Sequence, residues 1–424
     1  MRFLQFIRTA VLYYIYLNVL AVAYVVVWLD RKIKFKLPFP RDLAELQKSE
    51  MWCMGELKKA GALPDDSVIS HYSVKPLKPD LIYRSDAGVI EIAYNSAGVN
   101  KTLRCFAKFA PTMGTVWNKT IFNVQANHIK ESHFNEYFVK QDPSIPAPKV
   151  FVSQVYLPTG HLCLITEMMD DCMEHPEAEQ GNISDKNLQL ALEGLATLHA
   201  AYWKSTAARM DKVMPIADST VYVFEMMVLF SWSKAARKIL TQSWINMNVN
   251  ETVLHGDARV GNMLFPKPDG SGRFVFIDWQ AVRKGKAAFD LAYFLVLSMP
   301  VKHRREVESK CLDDYHKHLV TRGVKDYTRE TLEVDYRDAC LCVLALLSLP
   351  MLSGEVSAEG KAAENFVWGM SIWRDRVEAK FREFDYRWMS ARYGLTEEQC
   401  GDAIAEMLQV ITDRLEKVTK EKVS

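Results

Sequence analysis

Residues 254–294 read LHGDARVGNMLFPKPDGSGRFVFIDWQAVRKGKAAFDLAYF. Asp257 is followed five positions later by Asn262, and then by a short strand, FVFID, that ends on Asp278. One carboxylate able to accept a proton from an attacking hydroxyl, an amide oxygen and a second carboxylate able to hold Mg²⁺ stand in the order that metal-dependent phosphoryl transfer from ATP requires. Singly, each is commonplace: HGD is a frequent turn, and an Asp at a strand end is more often a cap or an ion-pair partner. The signal lies in the order, the spacing and the intervening strand taken together.

Four residues separate Asp257 from Asn262, the Asp-to-Asn separation of a kinase catalytic loop, and Ile277-Asp278-Trp279-Gln280 stands where such a kinase has Asp-Phe-Gly. HGD, IDWQ and the following G-x(4)-DLAYFL resemble the aminoglycoside phosphotransferase and choline kinase-like superfamily, and most nearly its ecdysteroid-kinase-like group. The resemblance implies an α+β, bilobal protein-kinase-like fold, with a small antiparallel-sheet N-lobe over residues 41–168 and a larger, mostly helical C-lobe over 169–424. It implies ATP- and Mg²⁺-dependent phosphorylation of a hydroxyl on a small apolar molecule. Asp257 would then be the base, with Asn262 and Asp278 as metal ligands. Arg259, where protein kinases carry a lysine and many superfamily members a histidine, could neutralise charge in the transition state. His255 and Asp290 read as supports. A carboxylate in the apolar helix AAFDLAYFL needs a partner, and the catalytic loop is the one expected, because an unpaired buried charge is costly.

Upstream, Val68 to Val74, Leu81 to Tyr83, Gly88 to Tyr94 and Leu103 to Phe109 are strand-like, the last two joined by a turn over 95–100. Helical periodicity over 41–60 precedes them. The candidate phosphate loop is Arg84-Ser-Asp-Ala-Gly88, placed there by its position between two strands and by the freedom of Gly88. Lys108, alternating with apolar neighbours near a strand end, fits the phosphate-binding lysine of a kinase sheet. Its glutamate partner should lie on the next helix. The resemblance implies an acidic residue just before an aromatic pair, which favours Glu136, with Glu131 in reserve. Glu167, Met168 and Met169, after the apolar strand LCLIT, resemble a hinge whose backbone would meet adenine. Helical spacing over 185–203 and again from 294 to about 418 fills the C-lobe, and the apolar Asp338 to Leu349 is too short to span a bilayer and reads as a buried helix.

Residues 10–29 form an uncharged run of about the length that crosses hydrocarbon. With the heavier basic flank on its C-terminal side, it reads as a membrane-spanning anchor that with a linker makes up residues 1–40, single-pass, with the kinase domain on the cytoplasmic side. A signal peptide and a buried core helix are the alternatives. Lysine and arginine number 53 against 52 acidic residues, so no net field favours nucleic acid. The eight cysteines show neither zinc spacing nor the density of a disulfide scaffold, which favours a reducing compartment. The expected partners are ATP, a small-molecule alcohol and the membrane, with no obligate protein partner evident. Two other functions stay open: a choline or ethanolamine kinase, and a catalytically silent nucleotide-binding protein at a membrane.

Overall fold

The computed structural model describes residues 2–77, 86–110, 116, 119–120, 127–174, 183–205, 232–249, 251–348 and 361–420. The chain divides into two compact units, the first ending at Asp170 and the second beginning at Asp171. One is built on a sheet and the other is mostly helical, the α+β division of a bilobal kinase-like fold.

In the first unit, α1 (Arg2–Ile33), α2 (Leu43–Lys48) and α3 (Glu50–Lys59) precede β1 (Val68–Pro76), β2 (Asp86–Ser96) and β3 (Val99–Phe109). Then come α4 (Asn127–Phe134), continued by a wider π turn over Asn135–Val139, and β4 (Val150–Tyr156) and β5 (His161–Glu167). The five strands form one antiparallel sheet in the order β1-β2-β3-β5-β4. Its apolar face, with Ile90, Ile92, Cys105, Ala107, Cys163 and Ile165, packs on Leu46, Cys53 and Leu57 of α2 and α3. The single helix expected over 41–60 is two, because Ser49 leaves helical geometry at φ −109° and ψ 40°. The β2–β3 turn is tighter than the expected 95–100 segment. Asn95 still pairs with Asn100, and only Ala97 and Gly98, with φ of 51° and 81°, make the left-handed two-residue turn that matches strand twist. The strand expected over 81–83 lies outside the described residues.

The anchor expected over 10–29 is overturned: among the described residues no helix is long and apolar enough to cross a membrane. The membrane partner, the single-pass localisation and the cytoplasmic placement of a kinase domain fall with it. An uncharged run reports length and apolarity, but not which side of the run protein covers. Leu20 and Val27, seven residues apart and therefore on one side of α1, are buried, and so is Asp30. Asp30 accepts hydrogen bonds from Arg41 Nη1 at 2.8 Å, from His161 Nε2 at 2.9 Å and from the Phe35 N–H at 3.1 Å. Burial alone would raise its carboxyl pKa, but Arg41 and His161 outweigh that and hold it below the usual value. Burial in turn pushes His161 down to about 4, so a neutral ring donates to the carboxylate.

In the second unit, β6 (Cys172–Glu174) joins β8 (Met263–Pro266) and β9 (Val275–Phe276) in a small sheet, while β7 (Thr252–Leu254) pairs with β10 (Arg283–Gly285). Around them lie α5 (Asp185–Ala201), α6 (Lys234–Met247), α7 (Ala288–Ser298), α8 (Val301–Thr321), α9 (Arg329–Ser348), α10 (Lys361–Arg382), α11 (Tyr386–Tyr393) and α12 (Glu397–Val418). All eleven residues of α7 are buried, as a helix apolar on every side requires. Asp338, fully buried on α9, accepts from Asn246 at 2.8 Å, Arg392 at 2.6 Å and Tyr393 at 2.6 Å, tying α6, α9 and α11 together. All eight cysteines are free and buried. Glu251, just before β7, accepts from the Ala287 N–H at 3.3 Å. Burial first, and then the nearby Asp335 carboxylate, push Glu251 up to about 7, against a partial offset from Lys286 and Lys204.

Two measurements follow. Asp30→Ala leaves Arg41 without its carboxylate partner and should cost about 3 kcal/mol in urea denaturation. Because the folded pKa of Asp30 is lowered, that difference is present above 3.8 and closes only as pH falls below it. Glu251 has the opposite sign. Its folded pKa is raised, so the folded state binds more protons between 4.5 and about 7 and loses stability as pH rises through that window. Glu251→Gln should flatten the melting temperature across it.

Candidate active site

β7 delivers the chain into His255-Gly256-Asp257, where the backbone must turn sharply. Gly256 takes φ +83°, and a Cβ on it would stand 2.1 Å from the Ala281 carbonyl oxygen, so only glycine fits. The turn is held from below by Asp290 of α7. Its carboxylate accepts from the His255 N–H at 2.6 Å, the Gly256 N–H at 2.9 Å and His199 Nε2 at 3.2 Å. Burial would raise the Asp290 pKa, yet the His199 hydrogen bond, the neighbouring histidines and the Gly256 N–H hold it below the ordinary aspartate value. His199 is itself fixed through Nδ1 by the Tyr315 hydroxyl at 2.6 Å. Asp290 therefore has the partner that its burial demanded, and His199 is its support.

His255 does similar work one layer up. Its Nε2 donates to the Ile277 carbonyl at 3.0 Å, and its Nδ1 accepts from the Asp257 N–H at 3.3 Å. The ring thus links the loop of Asp257 to the residue before Asp278. Met263 on β8 pairs with Phe276 on β9, and the Ile277 N–H donates to the Asn262 carbonyl at 3.0 Å. That register brings Asn262 and Asp278 to one end of the same hairpin.

Asn262 Nδ2 donates to the Asp257 carbonyl at 2.9 Å and to Asp257 Oδ2 at 2.8 Å. With the amide nitrogen so engaged, Oδ1 is the atom of Asn262 suited to a cation. Asp278 occupies the left-handed region at φ 67° and ψ 64°, a conformation that costs a non-glycine residue energy and marks sites where side-chain direction matters. Its Oδ2 accepts from Gln280 Nε2 at 3.0 Å. Arg259 Nε lies 3.6 Å from Asp257 Oδ1. Asp257, Arg259 and Asn262 thus contact one another, with Asp278 on the adjoining strand end. Among the described residues no group of three or more His, Cys, Asp or Glu side chains could hold a metal. Asn262 and Asp278 offer an amide oxygen and a carboxylate, donor types that Mg²⁺ accepts alongside waters and phosphate oxygens.

In the first unit, Lys108 on β3 lies between Ala87 and Leu164 of the neighbouring strands, and its Nζ is 2.8 Å from Glu131 Oε1. The favoured partner, Glu136, is elsewhere: it pairs with Lys140 at 2.7 Å on the surface. Helix phase explains the difference. Glu131, Phe134 and Phe138 fall at i, i+3 and i+7 on the inner face, where the two rings stack at 5.0 Å, whereas Glu136 is turned by roughly 140° from Glu131. The π turn that begins at Asn135 shifts the phase between the two, so spacing alone did not select Glu131, and the acidic residue beside an aromatic pair pointed away from it.

Gly88 is in mid-strand, opposite Pro76 and Ala107, and not in a loop. A Cβ there would come within 2.9 Å of the Lys75 carbonyl oxygen and of a Leu43 methyl, so strand packing accounts for the glycine. Residues 84 and 85 of the expected phosphate loop lie outside the described residues. Glu167 ends β5, exchanging hydrogen bonds with the Lys149 backbone at 2.9 and 2.5 Å, and the half-buried Met168 and Met169 follow it. Three residues around the loop carried no sequence signal of their role: Tyr315, Trp373, whose ring centre lies 5.7 Å from the Arg259 guanidinium carbon, and Ser298, whose Oγ accepts from the Val260 N–H at 2.9 Å.

Residues 232–326 match the model of the Ecdysteroid kinase-like family, a segment that contains Asp257, Asn262, Asp278 and Asp290. No curated protein matches the chain. Among solved structures, the GDP complex of wild-type aminoglycoside 2'-phosphotransferase-IIIa is similar at 12% identity and a TM-score of 0.44, over 78% of this chain and 99% of that one. The choline kinase LicA from Streptococcus pneumoniae is similar at 12% identity and a TM-score of 0.38, over 78% and 99% of the two chains. A microcompartment-associated aminopropanol kinase gives 10% identity and a TM-score of 0.38, over 76% and 95%. The family match spans 95 of the 424 residues, less than a quarter of the chain.

Gly256→Ala tests the turn. Both the positive φ and the Ala281 carbonyl oppose a side chain, so the variant should lose about 2 kcal/mol or more in denaturation, and a variant as stable as the parent would contradict the turn geometry.

Proposed function

We propose that the protein is an ATP- and Mg²⁺-dependent kinase that phosphorylates a hydroxyl of a small apolar molecule. The observation that carries this reading is the hydrogen bond from Asn262 Nδ2 to Asp257 Oδ2, with Asp278 at the same hairpin end. A base held by the neighbouring amide, beside an amide oxygen and a second carboxylate, is the arrangement phosphoryl transfer calls for.

Asp257 accepts the proton of the acceptor hydroxyl as that oxygen bonds to the γ-phosphorus. The bond from γ-phosphorus to the bridging oxygen breaks, and ADP leaves with its electron pair. Asn262 keeps the Asp257 carboxylate oriented. Asn262 Oδ1 and the Asp278 carboxylate are the groups that would hold Mg²⁺, which when bound neutralises phosphate charge. Arg259 is placed to offset negative charge near Asp257. In the first unit, Lys108, fixed by Glu131, is assigned to the α and β phosphates. The backbone of Glu167 to Met169 is the proposed adenine contact.

Magnesium-dependent ATP consumption against a panel of alcohols, sterols and amino alcohols tests the reading. Asp257→Asn should lower turnover by about a hundredfold or more while nucleotide binding persists. Glu131→Gln should weaken nucleotide binding, and Glu136→Gln should not. Full turnover by the Asp257→Asn variant would remove the assigned base.

A further inference from the structure

Arg259 sits on a loop with about a third of its side chain exposed. An ion pair so placed is weak by itself, and holding a long side chain in one geometry costs entropy. Two further contacts restrain it. The guanidinium carbon lies 5.7 Å from the centre of the Trp373 indole ring, and its Nη1 lies so close over Gly261 that a Cβ there would come within 2.4 Å. The guanidinium is thus bounded by the Asp257 carboxylate, the Gly261 backbone and an aromatic ring. An indole ring within about 6 Å of a cation attracts it.

Trp373 is itself held in place. It belongs to α10, and Arg376 and Val377, one turn further on the same face, are buried. Arg376 donates to the Leu297 carbonyl at the C-terminal end of α7, and the next residue, Ser298, takes the Val260 N–H. The end of α7 therefore braces both the loop that bears Arg259 and the helix that bears Trp373.

We propose that Trp373 is a positioning residue, which holds the Arg259 guanidinium against Asp257 so that it stands where charge develops during transfer. The inference rests on the kinase reading for its function, and on the geometry alone for the pairing. Trp373 lies beyond the segment that matches the family model.

The test uses the full chain and the variants Trp373→Leu, Trp373→Phe, Arg259→Ala and the Arg259→Ala, Trp373→Leu double. MgATP hydrolysis with water as the only acceptor is measured together with MgATP affinity by calorimetry. Trp373→Leu should lower kcat roughly tenfold, with KM for MgATP within about twofold. Trp373→Phe, which keeps a ring face, should restore most of the rate, and in the Arg259→Ala background the leucine substitution should cause no further loss. A wild-type rate for Trp373→Leu, or the same proportional loss in both backgrounds, overturns the proposal. Urea denaturation of the same four proteins without nucleotide separates the two ideas. Midpoint shifts that add for the two single variants overturn the pairing, and a double variant less affected than their sum supports it. If the parent neither binds nor hydrolyses MgATP, the kinase reading fails, and the urea cycle alone decides the pairing.

Discussion

A carboxylate with no access to water dictates the form of the candidate catalytic loop. Asp290 is carried by a helix whose every residue is buried, and its charge is tolerable only because donors converge on it: two successive backbone N–H groups and the His199 ring. Those N–H groups belong to His255 and Gly256, so satisfying the charge also sets the turn that presents Asp257. His255, oriented by the same turn, reaches across to Ile277 and joins the loop to the strand that ends on Asp278. The separation between Asp257, the proposed base, and Asp278, the proposed metal ligand, is thereby governed by a residue that would touch neither nucleotide nor acceptor.

Buried charges serve the same purpose elsewhere. Asp30 joins α1 to Arg41 and to β5, Glu131 fixes Lys108, and Asp338 gathers α6, α9 and α11. Each would be costly alone, and each is answered by more than one donor or by a cation at short range. Such pairs add little stability relative to apolar packing, but a misplaced partner is penalised heavily, so they select one arrangement among many. Glu251 is the exception in kind. Its carboxyl is pushed up to about 7 because burial and the like charge of Asp335 outweigh the Ala287 N–H and two lysines.

Several readings of the chain depended on contacts among residues close in sequence, and these were legible. Asp257 and Asn262 are joined by a loop too short to let them separate, and the β8–β9 hairpin places Asp278 beside them through local register. That Lys108 lies near the end of a strand was recognisable from alternation. Readings that depended on facing were not. Glu131 and Glu136 lie on one helical stretch, and which of them turns inward is a matter of phase and of the wider turn at its end. Gly88 looked like loop freedom and is a response to close strand packing. The apolar run over 10–29 looked like a lipid-facing span because composition does not record that one side of it, at Leu20 and Val27, is buried while Leu17, Val22 and Val25 on other sides stay exposed.

What the amino-acid sequence determined alone was therefore the local chemistry: an ordered set of Asp257, Asn262 and Asp278, the α+β division into a sheet unit and a helical unit, and a buried helix bearing Asp290. Backbone geometry over a few residues is enough to bring such groups together. Tertiary structure alone decided which glutamate meets Lys108, that Asp30 ties α1 to its own unit, and that Trp373 comes to lie against Arg259. Those outcomes rest on side chains from distant parts of the chain competing to fill the same space, and spacing along a sequence holds no measure of that competition.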